Sequence, residues 1–162
     1  ARNPLRQIPV LETATGEFLY DSDTIIAYLD TLHSGTPLLP GEGRFELSTR
    51  LALSNGVIEA VLLRTMESRR PDGERSATFM DKLEGRALRG IARLEREAAT
   101  LGTRSLNAID ITTACALEYA DFRFSRDWRA KAPALGEWLE VVAARASMVA
   151  TVPVRTEAVS VP

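Results

Sequence analysis

A small α/β unit followed by an all-helical bundle is the fold class this sequence predicts, and three observations predict it. Residues 7–25, QIPVLETATGEFLYDSDTI, read as two short strands around a turn and then the start of a helix. Residues 34–43, SGTPLLPGEG, place three Gly and two Pro in ten residues, the composition of a linker. From Arg44 onward the apolar residues recur at helical spacing only.

The elements follow in order. Val10 and Leu11 lead into TATGE, a turn around Gly16, and EFLY returns as the second strand of a hairpin. Ile25, Ile26, Leu29 and Leu32 then keep helical spacing behind Asp21, Ser22 and Asp23, which are good helix starters. After the linker, residues 45–69 form a long amphipathic helix stopped by Pro71 and Gly73. Residues 75–101 form a second, with Met80, Leu83, Ala87, Leu88, Ile91 and Leu94 on one face. Residues 107–124 form a third, nearly uncharged as far as Leu117 and so expected at the centre of the bundle. Residues 133–147 form a fourth, opened by Pro133 in its first turn. The tail TVPVRTEAVSVP reads as extended. The expected division is 1–33, 34–43 as linker, and 44–162. A hairpin and one helix in so short a first region bury too little to stand alone. That region is expected to dock on the bundle and to be completed by further strands.

Composition narrows the function classes. The 162 residues are 45% apolar and 26% charged, an ordinary balance for a soluble globular protein. A net charge of −2 supplies no basic field for nucleic acid or anionic membrane. No apolar run reaches the ~20 residues of a membrane span. The single cysteine excludes an intrachain disulfide and fits a reducing, cytoplasmic setting. No pattern of metal ligands surrounds the lone His33.

Four segments together resemble the cytosolic glutathione transferase family. NPLRQIPVL (residues 3–11) is similar to its N-P-x-G-[KQ]-[VI]-P-x-L stretch, and YDSDTIIAYLD (20–30) to its [ED]-S-x-x-I-x-x-Y-[LI] helix start. LNAIDITTACALEY (106–119) resembles the capping box and buried helix of its all-helical domain, and PALGEWL (133–139) its P-x-L-x-x-W segment. ESRRP and LEYADFRF resemble a bacterial subgroup of transferase-like proteins. The resemblance implies a glutathione transferase fold: a thioredoxin-like N-terminal domain, of which residues 1–33 are the second half, and an all-helical C-terminal domain. The family's catalytic Ser, Tyr or Cys lies in a strand–helix–strand unit expected upstream of Ala1, so the catalytic residue is not among these 162.

The resemblance also implies a glutathione site. Asp21 and Ser22 alone read as an ordinary helix cap. In the family's context they hold the γ-glutamyl end, Asp21 accepting from the ammonium and Ser22, with the first N–H groups of the helix, taking the carboxylate. By the same resemblance the Ile8–Pro9 bond is cis, although a trans bond is the ordinary expectation, and the Ile8 backbone pairs with the cysteinyl part. Gln7 stands near the glycyl carboxylate, while Arg6 replaces the family's usual Gly and leaves the loop shape open. The implied reaction is attack of the glutathione thiolate on a small electrophile, by a homodimer without a metal. A thiol of pKa ~8.5 is mostly protonated at neutral pH, so it needs an activating group. A chain without that group is expected to bind glutathione and to catalyse poorly. The alternatives are a non-catalytic binding or regulatory protein on the same scaffold, or a glutathione-dependent reductase or dehalogenase.

Other residues receive structural readings. Asn107 and Asp110 form an Asn/Asp variant of the capping box. Cys115 is read as a small core residue, and Trp128 and Trp138 as bundle packing. By resemblance, Arg64, Thr65, Ser68 and Tyr119 are unranked candidates for the electrophile pocket.

Overall fold

The computed structural model describes residues 2–39 and 44–153, in two compact units, 1–47 and 48–162. In the first, β1 (Leu11–Glu12) pairs antiparallel with β2 (Phe18–Leu19), Leu11 opposite Leu19 and Glu12 opposite Phe18. The Thr13 N–H donates to the Glu17 carbonyl at 2.9 Å, and Gly16 takes the left-handed φ of 82° that closes the turn. Helix α1 (Ser22–Asp30) follows. Its last residue ties down the chain beyond it. The Asp30 carboxylate accepts from the Leu38 N–H at 2.7 Å and the Leu39 N–H at 3.0 Å, and His33 Nε2 lies 3.2 Å away. The Gly35 N–H donates to His33 Nδ1 at 3.1 Å.

The second unit is helical: α2 (Arg44–Ser68, whose first turn belongs to the first unit), α3 (Ala77–Glu95), α4 (Ala108–Arg123), α5 (Trp128–Lys131), α6 (Pro133–Ala143) and α7 (Ala146–Ala150). Val57, Ile91, Leu94, Leu117, Leu135, Leu139 and Val142 are buried, as are both tryptophans. Each fully buried aliphatic side chain contributes about 1.5–3 kcal/mol. Helices α2 and α3 approach closely at Gly90, where an added Cβ would come within 2.5 Å of Val57. Ser54 and Thr113, both fully buried, satisfy each other across α2 and α4 at 3.0 Å.

Helix boundaries depart from the sequence reading in three places. The 75–101 segment is helical only to Glu95, and a 3-10 turn occupies Ala98–Thr100. Here the Glu97 carboxylate is drawn to Arg50 and Arg93, and the Arg50 guanidinium also reaches Thr100 Oγ1. The 133–147 segment breaks at Arg145, whose backbone is extended and whose guanidinium donates to the Thr103 and Arg104 carbonyls. The short α5 has no counterpart in the sequence reading; Asp121 holds it by accepting from Trp128 Nε1 at 2.8 Å and Arg129 Nη2 at 2.7 Å. Residues 154–162, most of the tail read as extended, lie outside the described residues.

The start of α4 is the most connected polar point. Asn107 Oδ1 accepts from the N–H groups of Ile109 and Asp110, and Asp110 Oδ2 accepts from the Asn107 N–H at 2.9 Å. Asp110 Oδ1 accepts from the Gly102 N–H at 2.9 Å, and the Gly102 carbonyl accepts from Trp138 Nε1 at 2.8 Å. Asp110 is 2% exposed. An added Cβ at Gly102 would meet the Ser105 carbonyl at 2.7 Å and Asp110 Oδ2 at 2.9 Å.

Two predictions follow from these carboxylates. Asp110→Ala leaves the Gly102 and Asn107 N–H groups unpaired and removes the box, so denaturant melts are expected to show a loss of about 2–4 kcal/mol. An unchanged midpoint would contradict this account. At Asp30 the Leu38 N–H, foremost, with the Leu39 N–H and His33, holds the carboxyl below its usual range against partial desolvation. The folded value is depressed, so its stabilisation is full above the unfolded value of 3.8 and fades as pH falls through the folded one. The Leu38 and Leu39 amide resonances are therefore expected to shift together in that acid range and to stay fixed in Asp30→Asn.

Candidate functional site

The loop at residues 3–9 is built from one side chain. Asn3 Oδ1 accepts from the Leu5 N–H at 2.9 Å, an Asx-turn, and Asn3 Nδ2 donates to the Gln7 carbonyl at 2.9 Å. The Arg6 N–H donates to the Asn3 carbonyl at 3.0 Å, closing a turn with Pro4 at its second position, where a fixed φ suits it. Among the described residues 2–39, Asn3 alone is buried, at 6% exposure. Arg6 adopts a left-handed φ of 54°, so the loop keeps a conformation that favours glycine although Arg stands there. This is the local shape that the sequence left open.

The Ile8–Pro9 peptide bond is cis, as is Tyr20–Asp21. The Ile8 side chain is 93% exposed, and its N–H and C=O enter no hydrogen bond among the described residues. On the other arm of the hairpin, Asp21 caps α1, its Oδ1 accepting from the Asp23 N–H at 3.2 Å. Ser22 opens the helix, exposed, with its hydroxyl and N–H unengaged among the described residues. The strand register relates the two arms. Leu11 faces Leu19, so the segment before β1, with Ile8 and Pro9, and the segment after β2, with Asp21 and Ser22, leave the ladder at the same end. The open end of one hairpin thus presents an unpaired backbone segment, a carboxylate and the N–H groups of a helix start. Such a constellation suits an extended peptide carrying both an ammonium and a carboxylate at one end.

Of the sequence-identified residues, Gln7, Ile8, Pro9, Asp21 and Ser22 share this hairpin end. Asn107 and Asp110 belong to the helical unit and serve the start of α4. Asn3 was missed. Its signal was the Asn–Pro pair itself, an Asx-turn with proline at the next position. Arg64 is engaged by Glu84 at 3.3 Å and the Phe124 ring at 4.8 Å, while Thr65 and Ser68 bond to carbonyls of their own helix. Among the described residues no group of His, Cys, Asp and Glu is arranged to hold a metal, and no helix is long and apolar enough to cross a membrane.

Cys115 corrects the reading of a core residue. It is exposed, because Ile111, Cys115, Glu118 and Phe122 share the face of α4 turned away from the packed positions 113, 114, 116, 117 and 120. Partial desolvation, foremost, and then the Glu118 carboxylate push its thiol up from the ordinary value. Glu118 is itself raised by desolvation and by Asp121, its neighbour along a polar groove of about 440 Å³. An exposed but weakly acidic thiol is expected to react slowly with a disulfide reagent at pH 7, with a rate that climbs beyond pH 9. Glu118→Gln should move that profile to lower pH; an ordinary rate at pH 7 would refute the assignment.

Comparison with known proteins agrees with this architecture. The family model for the glutathione S-transferase N-terminal domain matches residues 1–37, and that for the C-terminal domain matches residues 63–140. The chain is 31% identical over 156 residues to the uncharacterized GST-like protein YibF of Escherichia coli K12, spanning 93% of this chain and 77% of that one. The crystal structure of a glutathione transferase family member from Pseudomonas fluorescens Pf-5 with bound glutathione superposes with a TM-score of 0.90 at 36% identity, over 95% of this chain and 77% of that one. A glutathione S-transferase from Methylobacillus flagellatus KT with glutathione bound gives 0.88 at 32%, over 94% and 79%. The two-stranded hairpin with its helix fits a thioredoxin-like N-terminal domain, and the bundle fits the helical C-terminal one. Matched in both domains and along nearly its whole length, this chain belongs to the glutathione S-transferase family.

Proposed function

We propose that the protein is a glutathione transferase that binds glutathione at the open end of the β1–β2 hairpin and directs its thiol to a small electrophile. The observation that carries this reading is the antiparallel pairing of Leu11 with Leu19, from which the free Ile8 backbone and the start of α1 leave at the same end of the hairpin. The γ-glutamyl ammonium goes to Asp21, whose second carboxylate oxygen has no hydrogen bond among the described residues. The γ-glutamyl carboxylate goes to Ser22 and the first-turn N–H groups, where the helix dipole favours an anion. The cysteinyl unit adds to the Ile8 backbone as a short strand. The glycyl carboxylate then falls beside Gln7 and Arg6, two exposed donors without a side-chain partner among the described residues.

Two readings accompany this one. Residues 1–33 serve as the second half of the glutathione-binding domain and 44–162 as the helical domain. The active form is a homodimer, supported by the exposure of Leu62 and Met66, four residues apart on α2, at 42% and 57%, and its cytoplasmic setting is supported by the single cysteine.

Calorimetric titration with glutathione tests the proposal. Binding is expected in the wild-type chain, with a loss of tenfold or more, about 1.4 kcal/mol or above, in Asp21→Ala. No heat of binding in the wild type, or an unchanged affinity in Asp21→Ala, would remove the hairpin end as the site.

A further inference from the structure

We propose that Asn3 is a positioning residue which sets how the protein grips the glycyl end of its thiol peptide; this rests on the glutathione reading above. Nothing in the ligand chemistry requires Asn3 to touch the peptide, and its burial leaves little of it to do so. It acts through the loop. Its amide spends both kinds of hydrogen-bonding group inside the 3–7 turn, accepting from the Leu5 N–H and donating to the Gln7 carbonyl, each at 2.9 Å. The bond to the Gln7 carbonyl orients the peptide unit between Gln7 and Ile8. The N–H of that same unit is one of the two unpaired Ile8 groups offered to the ligand. The Arg6 N–H, bonded to the Asn3 carbonyl, places the left-handed Arg6 beside it.

The two arms of the hairpin end therefore have different supports. Asp21 and Ser22 are set by the cap of α1, which involves no atom of the 3–7 loop. Gln7, Arg6 and the Ile8 N–H are set by Asn3. A peptide whose γ-glutamyl head lies on α1 extends its far end along the loop. Loosening Asn3 is thus expected to penalise the distal end selectively and leave recognition of the head group intact.

The experiment compares glutathione with γ-glutamylcysteine, which lacks the glycyl unit, by calorimetry on the full chain. In the wild type, glutathione is expected to bind more tightly. In Asn3→Ala, glutathione affinity should fall about tenfold, as one buried hydrogen-bond set is lost, while γ-glutamylcysteine falls much less, so the preference between the two collapses. Gln7→Ala should weaken glutathione binding in the wild-type background and add under twofold on top of Asn3→Ala, because the two act as one unit. Asn3→Asp keeps the acceptor for Leu5 and removes the donor to Gln7, and it should move the preference in the same direction if Asn3→Ala does not fold. Equal losses for the two ligands, additive effects with Gln7→Ala, or an unchanged preference in both Asn3 variants would overturn the proposal. A wild-type chain that binds neither ligand would instead overturn the site reading on which it stands.

Discussion

The geometry of the helical unit depends on the buried carboxylate of Asp110. A carboxylate 2% exposed is costly unless its lone pairs are met, and here the Asn107 N–H meets one oxygen and the Gly102 N–H the other. The Gly102 bond fixes the start of α4 to the turn that follows α3, and the Asn107 bond closes the cap of α4 itself. The Gly102 carbonyl then receives the Trp138 indole, so α6 is referenced to the same point. Gly102 has no freedom to become anything larger, since its missing Cβ is the space that the carboxylate fills. The apolar core around Leu117, Leu139 and Val142 supplies bulk stabilisation without direction. This short polar chain decides which faces the core brings together.

The first unit works on the opposite terms. Asn3 is buried within it, and none of the apolar residues of its sheet and helix is fully buried. Shape there comes from local hydrogen bonds: Asn3 for the 3–7 loop, Thr13 and Gly16 for the hairpin, Asp21 for the entry to α1, and Asp30 for the exit. A ligand surface of unpaired backbone groups suits such an element, because residues committed to a core would not be free to meet a peptide. The family assignment gives the hairpin end proposed above its chemical sense.

The sequence was most informative where the signal was local. The capping residues of α1 and α4, the turn at Gly16, and the stop at Pro71 all carry their reasons within a few positions, and each element formed where those reasons placed it. Legibility failed where a distant partner decided the outcome. The break at Arg145 depends on carbonyls at 103 and 104, and the short α5 depends on Asp121. The exposure of Cys115 depends on which face of α4 the bundle covers, which an apolar run on every side cannot reveal. In the candidate site the charged and geometric residues were visible as a motif. Asn3 stood in the same motif but received no role, because its importance lies in satisfying its own backbone rather than in displaying a reactive group.

Helix α6 shows what a missing local signal entails. It has Pro133 in its first turn but no side-chain cap of its own; the carboxylate of Glu95 accepts instead from the Ala134 and Leu135 N–H groups, 39 and 40 residues along the chain. Helix α4 carries its start instruction within itself, while α6 borrows one from the end of α3. During synthesis α4 can therefore begin as soon as Asn107 to Asp110 have emerged, whereas α6 gains its cap only once α3 has folded and stands beside it. A fragment cut between α3 and α4 would keep a capped α4 and leave α6 with free N–H groups at its start. The borrowed cap makes the order of assembly part of what the helical unit encodes.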